Sequence, residues 1–282
     1  MTASDLTPVM LGLASALSWG AGDFSGGLAT KRTGVYGVVI ASQAVGALFL
    51  AGLALALGET VPPLGDLLWG GVGGLAGAVG LLALYRALAA GRMGVAAPVS
   101  AVIAAAIPVA FGALVEGLPG VLQLTGFGLA LLAVWLISRS ASREAALHVY
   151  DLGLPLVAGV GFGIFFIAID HAGRASVVWP VVAARLLSTT LLIVTARLMR
   201  QPHVPDFRHW KLIALCGVLD AGGNAFYALA ARVGRMDVAA VLGSLYPAST
   251  VWLAWLILKE RLTRVQWVGV VAALAAIVLI AM

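Results

Sequence analysis

The chain has 282 residues, of which 62% are hydrophobic and only 10% charged, with a mean hydropathy of +1.06 and a formal net charge of +5. Soluble domains carry roughly 45–50% apolar and about 25% charged residues, so a soluble fold is excluded and a bilayer is the expected solvent. Nucleic acid is not an expected partner, because the basic residues spread over helix ends instead of gathering on one face.

Ten apolar stretches follow one another, at 7–29, 34–57, 65–88, 94–115, 120–138, 152–171, 177–198, 209–231, 237–258 and 263–282. Each is long enough to cross a hydrocarbon core of about 30 Å. Lipid offers the backbone no hydrogen-bond partner, so each is predicted as a helix and the fold class as an all-α membrane protein. The connections, of which those around 139–151 and 199–208 are longest, leave no room for a soluble catalytic module. The first span lacks a basic leader and is expected to be retained. Cys216 stands alone in the eighth span, which rules out a disulfide framework.

The phrase GRMGVAA at 91–97 returns as GRMDVAA at 234–240, and at the same spacing Trp19-Gly20 matches Phe162-Gly163, Gln123 matches Gln266 and Gly126 matches Gly269. Two repeats account for this, residues 1–140 and 144–282, each of five helices. With an odd number of crossings per copy, the second must enter the membrane from the opposite face, and such inverted repeats enclose a central cavity near the midplane. Charge placement agrees. Of the 17 Lys and Arg, twelve lie in loops after odd-numbered helices, three (Arg174, Arg232, Arg235) after even-numbered ones, and Arg86 and Arg185 inside spans. Cytoplasmic loops collect positive charge, so both termini are expected to face outward.

The stretch LYPASTVWLAWLILKERLTRVQWVGVVAALAAIVLI at 245–280 has a Pro early in the ninth span, Glu260 thirteen residues later, then Gln266 and Gly269; VEGLPGVLQLTGFGLALLAVWLI at 115–137 offers Glu116, Gln123 and Gly126. These residues resemble the drug/metabolite transporter superfamily, of the ten-helix EamA type. In the first copy Pro108 sits only eight residues before Glu116, a departure from the pattern. The resemblance implies a secondary transporter working by alternating access, most like the amino-acid exporters, including those for aromatic amino acids, in a plasma membrane of the bacterial inner-membrane type.

A charged residue at mid-bilayer costs about 2.5–3.5 kcal/mol and needs a protein or water partner. Asp220, Asn224 and Tyr227 recur at i, i+4 and i+7 on one face of the eighth span, which must look inward. That stripe can bind a cargo amine or exchange a proton, or equally serve as an interhelical network. Arg185 can clamp a carboxylate or pair with Asp170 or Asp220. Its counterpart Ser42 is followed by Gln43. Asp23 and His171 approach helix ends and read as anchored there, although His171 can titrate near neutral pH.

Among the aromatic residues, Trp69, Trp210 and Trp267 fit an interfacial belt, whereas Trp19, Tyr85, Tyr227 and Tyr246 are cavity candidates because the resemblance places their helices around the cavity. With Gln43, Trp179, Arg185, Asp220 and Asn224 they complete the expected substrate-binding set. Few charges beside many aromatic rings suit a neutral or zwitterionic cargo with an apolar body. Pro108 and Pro247 each remove a helical hydrogen bond and are the expected gating hinges. Gly70, Gly73, Gly74, Gly77 and Gly80 form a stripe for close helix contact, and GVGFG at 159–163, embedded in an apolar helix, is packing and not a nucleotide loop.

No metal or other cofactor is expected, since His148, His171, His203 and His209 share no ligand spacing. An enzyme is not expected for the same want of clustered groups. The expected partners are a small-molecule substrate and membrane lipids, with the monomer sufficient to enclose a pathway. Other small neutral metabolites or drugs are the alternative cargo, and a lipid-phosphate enzyme the remote one.

Overall fold

A computed structural model describes residues 3–30, 32–89, 93–138, 153–173, 175–202, 204–259 and 263–281. All regular structure among them is helical. The helices are α1 (Ala3–Thr30), α2 (Val35–Ala56), α3 (Leu64–Ala89), α4 (Met93–Val115), α5 (Val121–Ser138), α6 (Gly153–Ala172), α7 (Val178–Leu198), α8 (Trp210–Val233), α9 (Met236–Gly243), α10 (Tyr246–Leu258) and α11 (Arg264–Ala281). Six segments are long and apolar enough to cross a membrane: α2, the Leu64–Leu84 part of α3, α6, α7, α8 and Met236–Ile257 across α9 and α10. The apolar stretches of α4, α5 and α11 are shorter. Large apolar side chains such as Leu48, Leu114 and Val271 are exposed on the outside, as expected where lipid is the solvent.

The ninth predicted span, 237–258, is two helices and not one. Gly243 would need the N–H of residue 247 to continue the ladder, and Pro247 has none. The chain tightens instead: the Leu245 N–H donates to Leu242 O at 3.1 Å, and Ser244 Oγ donates back to Ala240 O at 2.7 Å. At Pro108, by contrast, α4 runs through without a break. α11 begins with a capping box in which the Thr263 N–H donates to Gln266 Oε1 at 2.9 Å and the Gln266 N–H to Thr263 Oγ1 at 3.3 Å. Its equivalent at α5 is weaker, with the Gly120 N–H donating to Gln123 Oε1 at 3.3 Å.

Pairs of contacts fix the helix directions. Ser15 Oγ of α1 donates to Gly223 O of α8 at 2.8 Å, and Gly26 lies against Cys216, so α1 and α8 are antiparallel. Ser42 and Gly46 of α2 lie against Gly217 and Ala221, so α2 runs parallel to α8. Tyr36 meets Met199 at one end of α2 and Gln43 meets Arg185 further along, so α2 and α7 are antiparallel. Gly70 and Gly74 of α3 lie against Pro180 and Ala184, so α3 and α7 are parallel. Gly73 and Gly80 lie against Ala168 and Ala158, so α3 and α6 are antiparallel. Together these relations make α6 run opposite to α1, and α7 opposite to α2.

Packing partners exchange in the same way. α1 packs on α8 as α6 packs on α3; α1 packs on α9 and α10 as α6 packs on α4; and α2 packs on α8 as α7 packs on α3. α2 with α7, α4 with α9, and α5 with α11 each pair across the halves. The glycines of α3 do not form the single stripe expected. Gly70 and Gly74 face α7, whereas Gly73, Gly77 and Gly80 face α6, because α3 is wedged between both.

Candidate functional site: a cavity between the halves

A cavity with about 170 Å³ of water-accessible space lies among α1, α2, α3, α6, α7 and α8, with α4 and α10 adding Ala104 and Tyr246, and its lining extends to Thr30, Val38 and Leu84. Those three residues lie where α1 and α3 end and α2 begins. Its polar wall is one connected group. Arg185, 3% exposed, forms an ion pair through Nη1 with Asp220 Oδ2 at 2.5 Å, and the same Nη1 donates to Gln43 Oε1 at 2.8 Å. Ser188 Oγ reaches Gln43 Oε1 at 3.3 Å. The pair joins α7 to α8, so Asp220 is one of the two carboxylates expected for Arg185 that the structure brings to it. Asn224, one turn beyond Asp220, accepts from Trp19 Nε1 at 2.8 Å. That bond ties α1 to α8 and fixes the indole.

The apolar wall is aromatic. Trp19 stands 5.7 Å from Phe166 between ring centroids, and Phe162, Phe165 and Tyr246 add to the same lining. Of the predicted substrate-binding set, Trp19, Gln43, Arg185, Asp220, Asn224 and Tyr246 all line the cavity.

Two members of the set do not. Tyr227 is fully buried behind Phe166, with ring centroids 4.6 Å apart and its hydroxyl donating to Phe166 O at 3.0 Å. It buttresses the aromatic wall from behind. Trp179 lies at the far end of α7, where its Nε1 donates to Glu59 O at 3.1 Å. The side chain of Tyr85 lies outside the described residues, as do those of Arg86, Arg92 and Glu260. Pro108 and Pro247 are not among the lining residues.

Asp23 does line the cavity, and counting its depth along α1 gave no sign of it. α1 ends at Thr30, one residue beyond the predicted span, so Asp23 lies seven residues before that end and on the face of α1 that lines the cavity. Phe162, Phe165 and Phe166 were legible only as aromatic residues inside the sixth span.

The end of the bundle opposite Thr30 is closed by polar clamps. The Glu59 carboxylate accepts from Ser176 Oγ at 2.6 Å, the Val178 N–H at 3.0 Å and the Val177 N–H at 3.3 Å, and so caps the start of α7. Arg235, before α9, donates to Asp237 Oδ2 at 2.8 Å and to Gly117 O at 2.9 Å, tying the α8–α9 connection to the α4–α5 connection. Its hydrogen bond to Asp237 raises the Arg235 guanidinium further above its ordinary value, so it stays charged. At the Thr30 end the equivalent loop holds more loosely: Gly37 packs on Pro205, and the Asp206 N–H donates to Thr33 Oγ1 at 3.1 Å.

Three comparisons place this geometry. No curated protein sequence matches the chain. A crystal structure, described only as that of a protein, superposes with a TM-score of 0.79 over 98% of both chains at 16% identity, a likeness that establishes the fold. The profile of the EamA-like transporter family matches residues 151–282, from just before α6 to the end of α11. Six segments long and apolar enough to cross a bilayer, together with the likeness of residues 151–282 to the EamA-like transporter family, support a multi-pass membrane protein of the drug/metabolite transporter kind that moves small molecules.

Proposed function

We propose that the chain is a secondary transporter of amino acids with aromatic or other apolar side chains, working by alternating access through the cavity between its halves. The observation that carries this reading is the cavity itself: one ion pair and a set of amides on one wall, aromatic rings on the other, about 170 Å³ in all. A polar wall can hold the ammonium and carboxylate of an amino acid while the rings take its side chain. Sugar phosphates or nucleotides would want several cations, whereas Arg185 is the one Lys or Arg among the described lining residues.

Opposed helix directions and exchanging partners support a duplicated unit inverted across the membrane. On that reading there are ten crossings, and the Lys/Arg bias puts the Thr30 end at the cytoplasm, so the cavity is open inward while Glu59 and Arg235 seal the outside. The cycle then exchanges the seals. The clamps at Glu59 and Arg235 must break as the loop at Pro205 tightens, and the break between α9 and α10 supplies a place to bend.

Counterflow of radiolabelled phenylalanine in proteoliposomes tests the reading. Saturable exchange accelerated by internal phenylalanine is expected. No exchange of any aromatic or aliphatic amino acid, or conductance without saturation, would overturn it.

A further inference from the structure

We propose that the Thr30 end of the bundle carries a binding site for the headgroup of an anionic phospholipid, formed where the α1–α2 connection meets the start of α8, with Arg32, Arg208 and Lys211 holding the phosphate.

These three residues line one open pocket together with His209, Trp210 and Leu212. Arg32 follows α1, whereas the others follow one another through the 3-10 turn Phe207–His209 and into α8. Two connections far apart in the chain thus bring their cations to a single concavity. Contacts beside it hold them together: the Asp206 N–H donates to Thr33 Oγ1 at 3.1 Å, and Gly37 packs on Pro205. Arg32, Arg208 and Lys211 are exposed, and none of them forms an ion pair with a carboxylate among the described residues. Asp206, two residues before Arg208, turns one carboxylate oxygen to the Arg208 backbone N–H at 3.0 Å.

Topology alone asks only for cations somewhere at a cytoplasmic end. It does not ask for them here. The start of a helix is its positive pole, where cations are disfavoured. Arg208, His209 and Lys211 nevertheless surround Trp210, the first residue of α8, whose first turn holds no acidic residue and no side-chain cap. Arg197, in the last turn of α7, meets the same topological need at a pole that favours it. Like charges gathered at a like pole, with Arg32 brought in from another connection, are unfavourable until an anion joins them. A phosphodiester carries that charge and presents oxygens to guanidinium and ammonium donors.

The apolar neighbours identify a lipid as its source. Trp210 is 42% exposed at a helix end, the level at which headgroups lie. From the pocket, Leu212 and then Leu215, three residues on along the same face and 48% exposed, lead down α8 toward the hydrocarbon. Acyl chains would lie along them. A soluble phosphate ester would make no use of that face.

Native mass spectrometry of the full chain in a neutral detergent, titrated with dioleoylphosphatidylglycerol or dioleoylphosphatidylcholine, tests the site. The wild type is expected to bind the first phosphatidylglycerol at least about fivefold more tightly than the first phosphatidylcholine. In Arg32→Gln/Arg208→Gln/Lys211→Gln that preference should fall below about twofold. It should persist in Arg197→Gln/Arg200→Gln/Lys259→Gln, which removes as many exposed charges outside the pocket. Should the first triple variant not stay monodisperse, Arg208→Gln and Lys211→Gln singly should each reduce the preference. No preference in the wild type, no reduction in the pocket variants, or equal loss in the two triple variants overturns the proposal. Glycerophosphoglycerol, the same headgroup without acyl chains, is expected to bind at least about tenfold more weakly than the lipid; equal binding would assign the pocket to a soluble phosphate ester and overturn the lipid assignment.

Discussion

Arg185 shows how a charge survives at this depth. It is 3% exposed, and its Nη1 is held by Asp220 and Gln43 from two other helices. Removing one partner of such a pair leaves the other uncompensated, a loss that typically reaches 3–5 kcal/mol when both are fully buried. Asp220 is about one-third exposed, so Arg185→Ala is expected to cost roughly 2–4 kcal/mol, read as a lower Tm in detergent. Asp220→Asn should cost less than Arg185→Ala. Which polar residues would line the cavity was largely legible, because intramembrane polar groups must face protein or water. The facing of aromatic rings was not. Tyr227 sits one turn beyond Asn224, as the stripe demands, yet its ring packs behind Phe166, whose own ring takes the place on the cavity wall. Trp179 was misplaced for a related reason: nothing in the sequence announces that the Glu59 carboxylate reaches across to cap α7.

Among the helices, backbone approach sets the architecture. Lipid removes the hydrophobic drive between helices, so association depends on van der Waals contact of small residues. A Cβ added at Gly74 would stand 2.1 Å from Ala184 O, whereas one at Gly52 would meet nothing within 4 Å. Gly74→Leu is therefore expected to abolish a monodisperse folded protein on gel filtration, and Gly52→Leu to leave it intact. Glu59→Ala removes three acceptor contacts at the start of α7 and should lower stability by about 1–2 kcal/mol. In the transport reading it also shifts the resting protein away from the inward-open state, which would show as slower maleimide labelling of Thr30→Cys. Pro247→Ala restores a donor for Gly243 and should let α9 and α10 join, slowing flux without impairing insertion. Unchanged flux would remove that hinge from the account. The glycine spacing was readable in advance. That one helix would use two faces of it, against α6 and α7, required knowing that α3 lies between them.

Across the whole molecule, the repeated phrase and an expected odd number of crossings per copy led to the reading of two inverted halves, which the opposed directions of α1 and α6 and of α2 and α7 support. Gln123 with Gly126, and Gln266 with Gly269, four of the residues on which the family resemblance rests, turn out to be seam and caps. Gly126 lies against Ile280, Gly269 against Ile137, and Gln266 Nε2 donates to Ile137 O at 3.1 Å. They hold α5 to α11 and touch no cavity, so resemblance revealed architecture without naming cargo. Inversion itself predicts that cysteines placed at Gly58 and Gln201, in equivalent loops of the two halves, react with an impermeant maleimide from opposite faces. Reaction of both from one face would undo the inverted arrangement. The most direct test of the central claim is phenylalanine counterflow through Thr30→Cys in a Cys216→Ser background, before and after a bulky maleimide fills the wide end of the cavity. The account predicts saturable exchange that labelling abolishes; exchange that persists after complete labelling would contradict it, because the solute would then be crossing somewhere other than between the two halves.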